Sequence, residues 1–247
     1  VDVPDYPMIT IAPGIFPIGA PAGERGRRPD EAAISVTLTR PYAIGRTEVS
    51  QALYRSVMHT NPSLQIDDAL PVERVTWIEA AQFANSLSAH HGLTACYRFS
   101  GGVTWPEGLE CSGYRLPTEA EWEVAARAGQ STPYGSGSAV GATTGMAWTR
   151  LNAGGRSQPL GLLTPNDWGL LDMHGNVAEW CWDRYERSRY DGTDPQGPDS
   201  GRYRVVRGGS WRQPATAARS SRRDRKPASR RHRGVGLRLA RSLPAEG

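Results

Sequence analysis

The stretch Gly169-Leu-Leu-Asp-Met-His-Gly-Asn-Val-Ala-Glu-Trp180 sets two carboxylates and a Gly-Asn pair into otherwise apolar sequence. Taken alone, Asp172 has the side chain to cap a turn, and Gly175-Asn176 has the conformational freedom of a tight bend. The stretch lies in the half of the chain after Gln130, which is rich in Gly, Pro, Ser and Trp and has no sustained periodicity. Short strands, turns and long ordered loops are expected there, and loops of that kind need an internal fastening.

Upstream the signals are more regular. Thr118-Glu-Ala-Glu121 reads as a capping box, with Trp122, Ala125 and Ala126 on one helical face before Gly129 closes the helix. A second helix is expected from Trp77 to about His90, with Ala80, Ala81, Phe83, Ala84 and Leu87 as its buried stripe. A third begins at a Ser50 cap, carries Leu53, Tyr54, Val57 and Met58, and stops at Asn61-Pro62. Residues 8–19 break at Pro and Gly as a pair of short strands would, and residues 34–44 alternate as one further strand.

Length and composition bound the rest. With 247 residues and no repeat or low-complexity linker, residues 1–247 are read as one domain. No apolar run approaches the roughly 20 residues that cross a bilayer, and Val1-Asp2-Val3-Pro4 lacks the order of a signal peptide. A soluble chain is the expectation, with a trimmed signal or upstream domain left open. The three cysteines exclude a four-cysteine zinc site. Cys96 and Cys111 bracket a Gly-rich turn across which a disulfide would contribute on the order of 3 kcal/mol. Such a bridge favours an extracytoplasmic location, periplasmic or at the cell surface; two reduced thiols would indicate the cytoplasm.

Residues 202–247 hold 14 of the 29 basic residues and only Asp224 and Glu246 among the acids. A basic segment attracts nucleic acid or acidic surfaces. Lys226 is the only lysine, however, so arginine is the default cation here, and pairing with internal carboxylates is the favoured use of several of these residues. Nucleic acid is not the expected partner. His59, His90, His91, His174 and His232 stand at no recognisable ligand spacing and read as surface or packing residues.

Four motifs in order carry a family resemblance: Gly113-Tyr-Arg-Leu-Pro-Thr-Glu-Ala-Glu-Trp-Glu-Val-Ala-Ala-Arg-Ala-Gly129, the Gly169–Trp180 stretch, Arg207-Gly-Gly-Ser-Trp211 and Gly234-Val-Gly-Leu-Arg238. Weaker matches include Glu48-Val49-Ser50 and Pro71-Val72. Together they cover about residues 8–240. The chain resembles the formylglycine-generating enzymes, or sulfatase-modifying factors. That resemblance implies an α+β, C-type-lectin-like fold, with two or three helices around a twisted antiparallel sheet and little regular secondary structure. It also implies structural calcium, held at the positions of Asp172, Met173, Gly175 and Val177. Calcium accepts six to eight oxygens, main-chain carbonyls included. A second calcium position would begin at Asn152 and Ala153.

The resemblance also exposes a departure. Formylglycine-generating enzymes bind Cu(I) through two cysteines after the Gly-Gly-Ser-aromatic strand, where soft thiolates suit the metal. The matching segment, residues 211–229, contains no cysteine, and Cys181 lies in another motif. Copper is therefore not expected. The ergothioneine-synthase branch needs a separate iron-binding helical domain, for which nothing here substitutes. A non-catalytic module is favoured, one that binds a protein, peptide or glycan through the former active-site cleft, lined by Trp182, Trp211, Arg212 and Arg222. A diverged metal-dependent tailoring enzyme and a diversified ligand-binding display protein are the alternatives.

Overall fold

A computed structural model describes residues 3–135, 144–188 and 191–244. Among these residues three α-helices stand against several small sheets, an α+β arrangement. Helix α1 spans Gln51–Met58; the Ser50 side chain accepts from the Leu53 amide (3.0 Å), and His59 in the left-handed region ends it. Helix α2 spans Trp77–His90 and begins with a reciprocal capping box between Thr76 and Glu79. Helix α3 spans Glu119–Arg127, with the Thr118–Glu121 box formed and Ala128 in the left-handed position one residue before Gly129.

One four-stranded sheet runs in the order Met8–Ile11, Tyr42–Gly45, Ala240–Ser242, Tyr114–Arg115. A second runs Asp224–Pro227, Tyr203–Arg207, Ala178–Arg184, Val235–Gly236, with only the last pairing parallel. The single strand expected over residues 34–44 is in fact two, in different sheets: Ile34–Leu38 pairs with Gly14–Ile18, and Tyr42–Gly45 pairs with Met8–Ile11. The break has a local cause. Thr39 turns its amide and hydroxyl to Asp194 (2.9 and 2.5 Å), and Pro41 has no N–H to continue a ladder.

Two apolar clusters fill the interior. One joins Leu53, Tyr54, Phe83 and Leu87 of α1 and α2 to Tyr97, Trp180 and Leu237; the other joins Trp122 and Ala125 of α3 to Ile18, Val36, Ile44 and Val205. Cys96 and Cys111 are disulfide-bonded at the edge of the first, with Cα atoms 5.6 Å apart.

Helix α3 was expected to bury one face. All of it is buried, acids included. Each carboxylate meets a guanidinium: Glu119 pairs with Arg207 (2.7 Å) and Arg223 (2.6 Å), Glu121 with Arg115 (2.7 Å), Glu123 with Arg127 (2.9 Å) and Arg207 (2.7 Å). Buried charges persist only when paired and hydrogen-bonded. These pairs are the internal fastening of the loop-rich half, since Arg207 and Arg223 come from it. They also consume much of the basic charge after residue 202: Arg219 is held by Glu24 and Glu31, and Arg238 by Glu179.

Candidate functional site

The Gly169–Trp180 stretch enters the interior through four residues at positive φ: Gly169, Asp172, Gly175 and Asn176. Glycine is required at 175, because a Cβ there would lie 2.1 Å from the Trp148 carbonyl oxygen. His174 and Gly175 pair in parallel with Ala147 and Trp148. The Asn176 side chain both accepts from the Gln158 amide (2.9 Å) and donates to the Gln158 carbonyl (3.1 Å). The Asn176 carbonyl accepts from the Trp211 amide, and the Ala178 amide donates to Gly234, both at 2.8 Å. The loop therefore sets the backbone on either side of the 211–233 segment.

Behind the loop lies an imbalance of charge. Asp172 accepts through Oδ2 from the Gly161 amide (2.7 Å), while its Oδ1 is buried without a partner. Glu48 accepts through Oε1 from the Val177 amide (3.1 Å), and its Oε2 is likewise buried and unpartnered. Burial raises both carboxyls above their ordinary range; at Glu48 the nearby Asp172 and Glu179 add to the rise. Arg238 is the cation that faces all three. It binds Glu179 (2.8 Å) and spends its remaining donors on the carbonyls of Gly45 and Leu171. Three carboxylates against one guanidinium leave two negative charges when ionised.

Two orphaned carboxylate oxygens and this charge fit a hard divalent cation. Among the described residues no three His, Cys, Asp or Glu side chains form a metal cluster, so the remaining ligands would be main-chain carbonyls such as those of Met173, Gly175 and Val177. Glu48, quoted above only within a weak motif, was not anticipated as part of this pocket; it sits far upstream in sequence. The Asn152 position differs. Asn152 Oδ1 already accepts from the Thr149 amide (2.8 Å), and the Ala153 carbonyl accepts from Gln158 Nε2 (2.9 Å). Those oxygens serve a turn, and they do not fit an ion as they stand.

His174 is a packing residue. It contacts the Ala218 carbonyl through Nδ1 (2.7 Å) and accepts from the Gly135 amide at Nε2 (3.1 Å); burial lowers its pKa to about 4. A neutral ring with Nδ1 protonated satisfies both contacts.

The four residues expected to line one cleft separate into three places. Arg212 lines an open cavity of about 380 Å³, together with Ser210, Gln213, Lys226, His232 and Arg233. Trp211 adjoins it, its ring lying under the guanidinium groups of Arg212 (5.6 Å) and Arg233 (5.8 Å). Trp182 lines no part of this cavity. It stacks on Tyr97 (5.2 Å) and packs against Trp77 and Trp105, farther along the strand that begins at Ala178. Arg222 turns to Glu31 (3.6 Å). Nothing local separated Trp182 from Trp211 or pointed Arg222 toward Glu31. No cysteine lines the cavity, and Cys181 is buried elsewhere, its thiol pushed well up by burial.

The family model described as sulfatase-modifying factor enzyme 1-like domain matches residues 3–243. Chaperone protein LppX of Paenibacillus barcinonensis is 31% identical over 239 residues, covering 84% of this chain and 82% of its own length. The formylglycine-generating enzyme of Thermomonospora curvata is 25% identical over 248 residues, covering 83% and 82%. Among solved structures, Treponema denticola variable protein 1 superposes with a TM-score of 0.86 at 32% identity, covering 96% of this chain and 95% of that one.

Proposed function

Because this chain belongs to the sulfatase-modifying factor enzyme 1-like family, we propose that it is a non-catalytic member that binds a partner through the cavity beside Trp211. One observation carries this reading: where the resemblance places the thiols of the enzymes, this chain presents an open cavity lined by Ser210, Arg212, Gln213 and Arg233 and by no cysteine. A relative named as a chaperone favours a polypeptide partner, with a glycan as the alternative. The disulfide between Cys96 and Cys111 supports a location outside the reducing cytoplasm.

In this reading Asp172 and Glu48, with the carbonyls of Met173, Gly175 and Val177, hold a structural calcium ion, and Glu179 stays with Arg238. Calcium would supply positive charge and oxygen coordination. The loop would then keep the amides and carbonyls of Asn176 and Ala178 in place, and with them the Trp211 and Gly234 walls of the cavity.

The test pairs a redox measurement with a binding one. Supplied with copper or iron and a cysteine-containing peptide, the chain is expected to consume no more oxygen than the metal and peptide do without it. Displayed peptides or arrayed glycans are expected to bind, and Gln213→Trp, which fills the cavity, is expected to abolish that binding. Metal-dependent oxygen uptake above that of the protein-free mixture, or binding that survives Gln213→Trp, overturns the reading. A second reading, a diversified display protein, is favoured by the likeness to a protein named variable. Sequence variation among clones confined to residues 211–233 would select it.

A further inference from the structure

The cavity beside Trp211 lies on one face of the second four-stranded sheet. Ala178 pairs with Val235, Val206 pairs with both Trp180 and Asp224, and Lys226 follows two residues on, so these residues point to the same side. Ala178, Val206 and Val235 give the cavity an aliphatic floor. Its rim is cationic: Arg212 and Arg233 are exposed there, beside Lys226 and His232.

The state of these cations separates them from the other arginines of the segment. Arg207, Arg219, Arg223 and Arg238 are each consumed by buried carboxylates. Lys226 has the one acid of the cavity, Asp224, at 3.0 Å. Arg212 and Arg233 form no ion pair with any described residue; their guanidinium groups rest over the Trp211 ring. Rim cations with no internal partner, held over a ring, retain their hydrogen-bonding forks for a ligand. His232 Nε2 is buried and unpartnered at the same cavity.

Resting on the recognition reading and narrowing its ligand, we infer that this cavity takes an acidic peptide segment. The carboxylate of an Asp or Glu engages Arg212 and Arg233, and a neighbouring apolar side chain sits on the Ala178, Val206 and Val235 floor. The same features argue against a sugar ring, because both guanidinium groups lie over the Trp211 ring and leave it no open platform.

Selection of random peptides displayed on phage against the whole chain tests this, with a glycan array run in parallel. Asp and Glu are expected to be enriched among the selected peptides, and Glu→Gln in a selected peptide to weaken binding roughly tenfold or more. The Arg212→Gln, Arg233→Gln double variant is expected to lose binding to a similar degree. Salt near 1 M, where the Debye length is about 3 Å, is expected to weaken the wild type far more than the variant. If neutral peptides or glycans are selected instead, and Gln213→Trp abolishes their binding, the acidic-peptide inference falls while the recognition reading stands. Acidic peptides that bind the double variant as well as the wild type also overturn the inference. Failure of every peptide and glycan to bind removes both.

Discussion

The pocket behind Asp172 and the cavity beside Trp211 are joined by short backbone hydrogen bonds, yet they carry opposite charge in opposite settings. The first encloses Glu48, Asp172 and Glu179 against Arg238 alone, with two carboxylate oxygens left bare. The second exposes Arg212 and Arg233 without any acid of their own. An enclosed imbalance has no water to relieve it, so it must be met by a proton or a small ion. An open imbalance costs little in the free protein and is available to a ligand. Helix α3 is the reference between them, because its buried charges are matched within the chain. Arginine count therefore says little about function here, whereas what each arginine faces says much.

The largest effect should come from deepening the enclosed imbalance. Arg238→Met strips Glu179 of its partner beside two further acids, and breaking a buried pair of this kind costs about 3–5 kcal/mol. Urea denaturation should show the midpoint falling steeply or the chain failing to fold. A midpoint near the wild-type value would mean that Arg238 does not balance these acids.

Next in size is the ion itself. At a free calcium concentration about a hundred times its dissociation constant, binding adds roughly 2.7 kcal/mol. A chelator should lower the thermal midpoint accordingly, and Asp172→Asn or Glu48→Gln should remove most of that response. A chelator response unchanged in both variants would place the ion elsewhere.

The pH dependence is smaller and its sign is fixed. The Asp172 carboxyl is raised above its ordinary 3.8 in the fold, so the native state holds a proton that the unfolded chain releases. Without calcium, this group's contribution is present below that ordinary value and is lost as pH rises through the folded pKa, by at most about 1.4 kcal/mol per pH unit. His174 works in the other direction: with its pKa lowered to about 4, its contribution fades as pH falls below 6.5. Comparing the wild type with Asp172→Asn in chelator cancels the histidine. The stability difference between them should shift in favour of the variant as pH rises. A flat difference would mean that Asp172 is ionised throughout.

How far the sequence anticipated these features depended on the range of the interaction. The Thr118–Glu121 box and the Ser50 cap involve neighbours within one turn, so residue types alone revealed them. The Gly175-Asn176 bend was legible for the same reason. Interactions across the chain were not. Glu48 meets the Val177 amide from 129 residues away, Arg222 meets Glu31, and residues 34–44 divide because Asp194 arrives to hold Thr39. Buried acids at 119, 121 and 123 of α3 contradict an amphipathic pattern; Arg115 and Arg127 are near them in sequence, but Arg207 and Arg223 reach Glu119 and Glu123 from more than 80 residues away.

The smallest expected effect on stability is the one that separates the two regions most sharply. Arg212→Gln and Arg233→Gln touch exposed side chains without ion pairs, and surface changes of this type stay within about 0.5 kcal/mol. The double variant should therefore melt with the wild type, respond equally to chelator, and still lose its acidic peptides. A drop of several degrees in its midpoint would mean that the rim arginines are part of the fold's own charge balance, as those around α3 are. In that case the contrast between an enclosed site that serves stability and an open one that serves recognition would fail. An unchanged midpoint with lost binding would instead assign the two imbalances to different tasks, although one loop of backbone supports both.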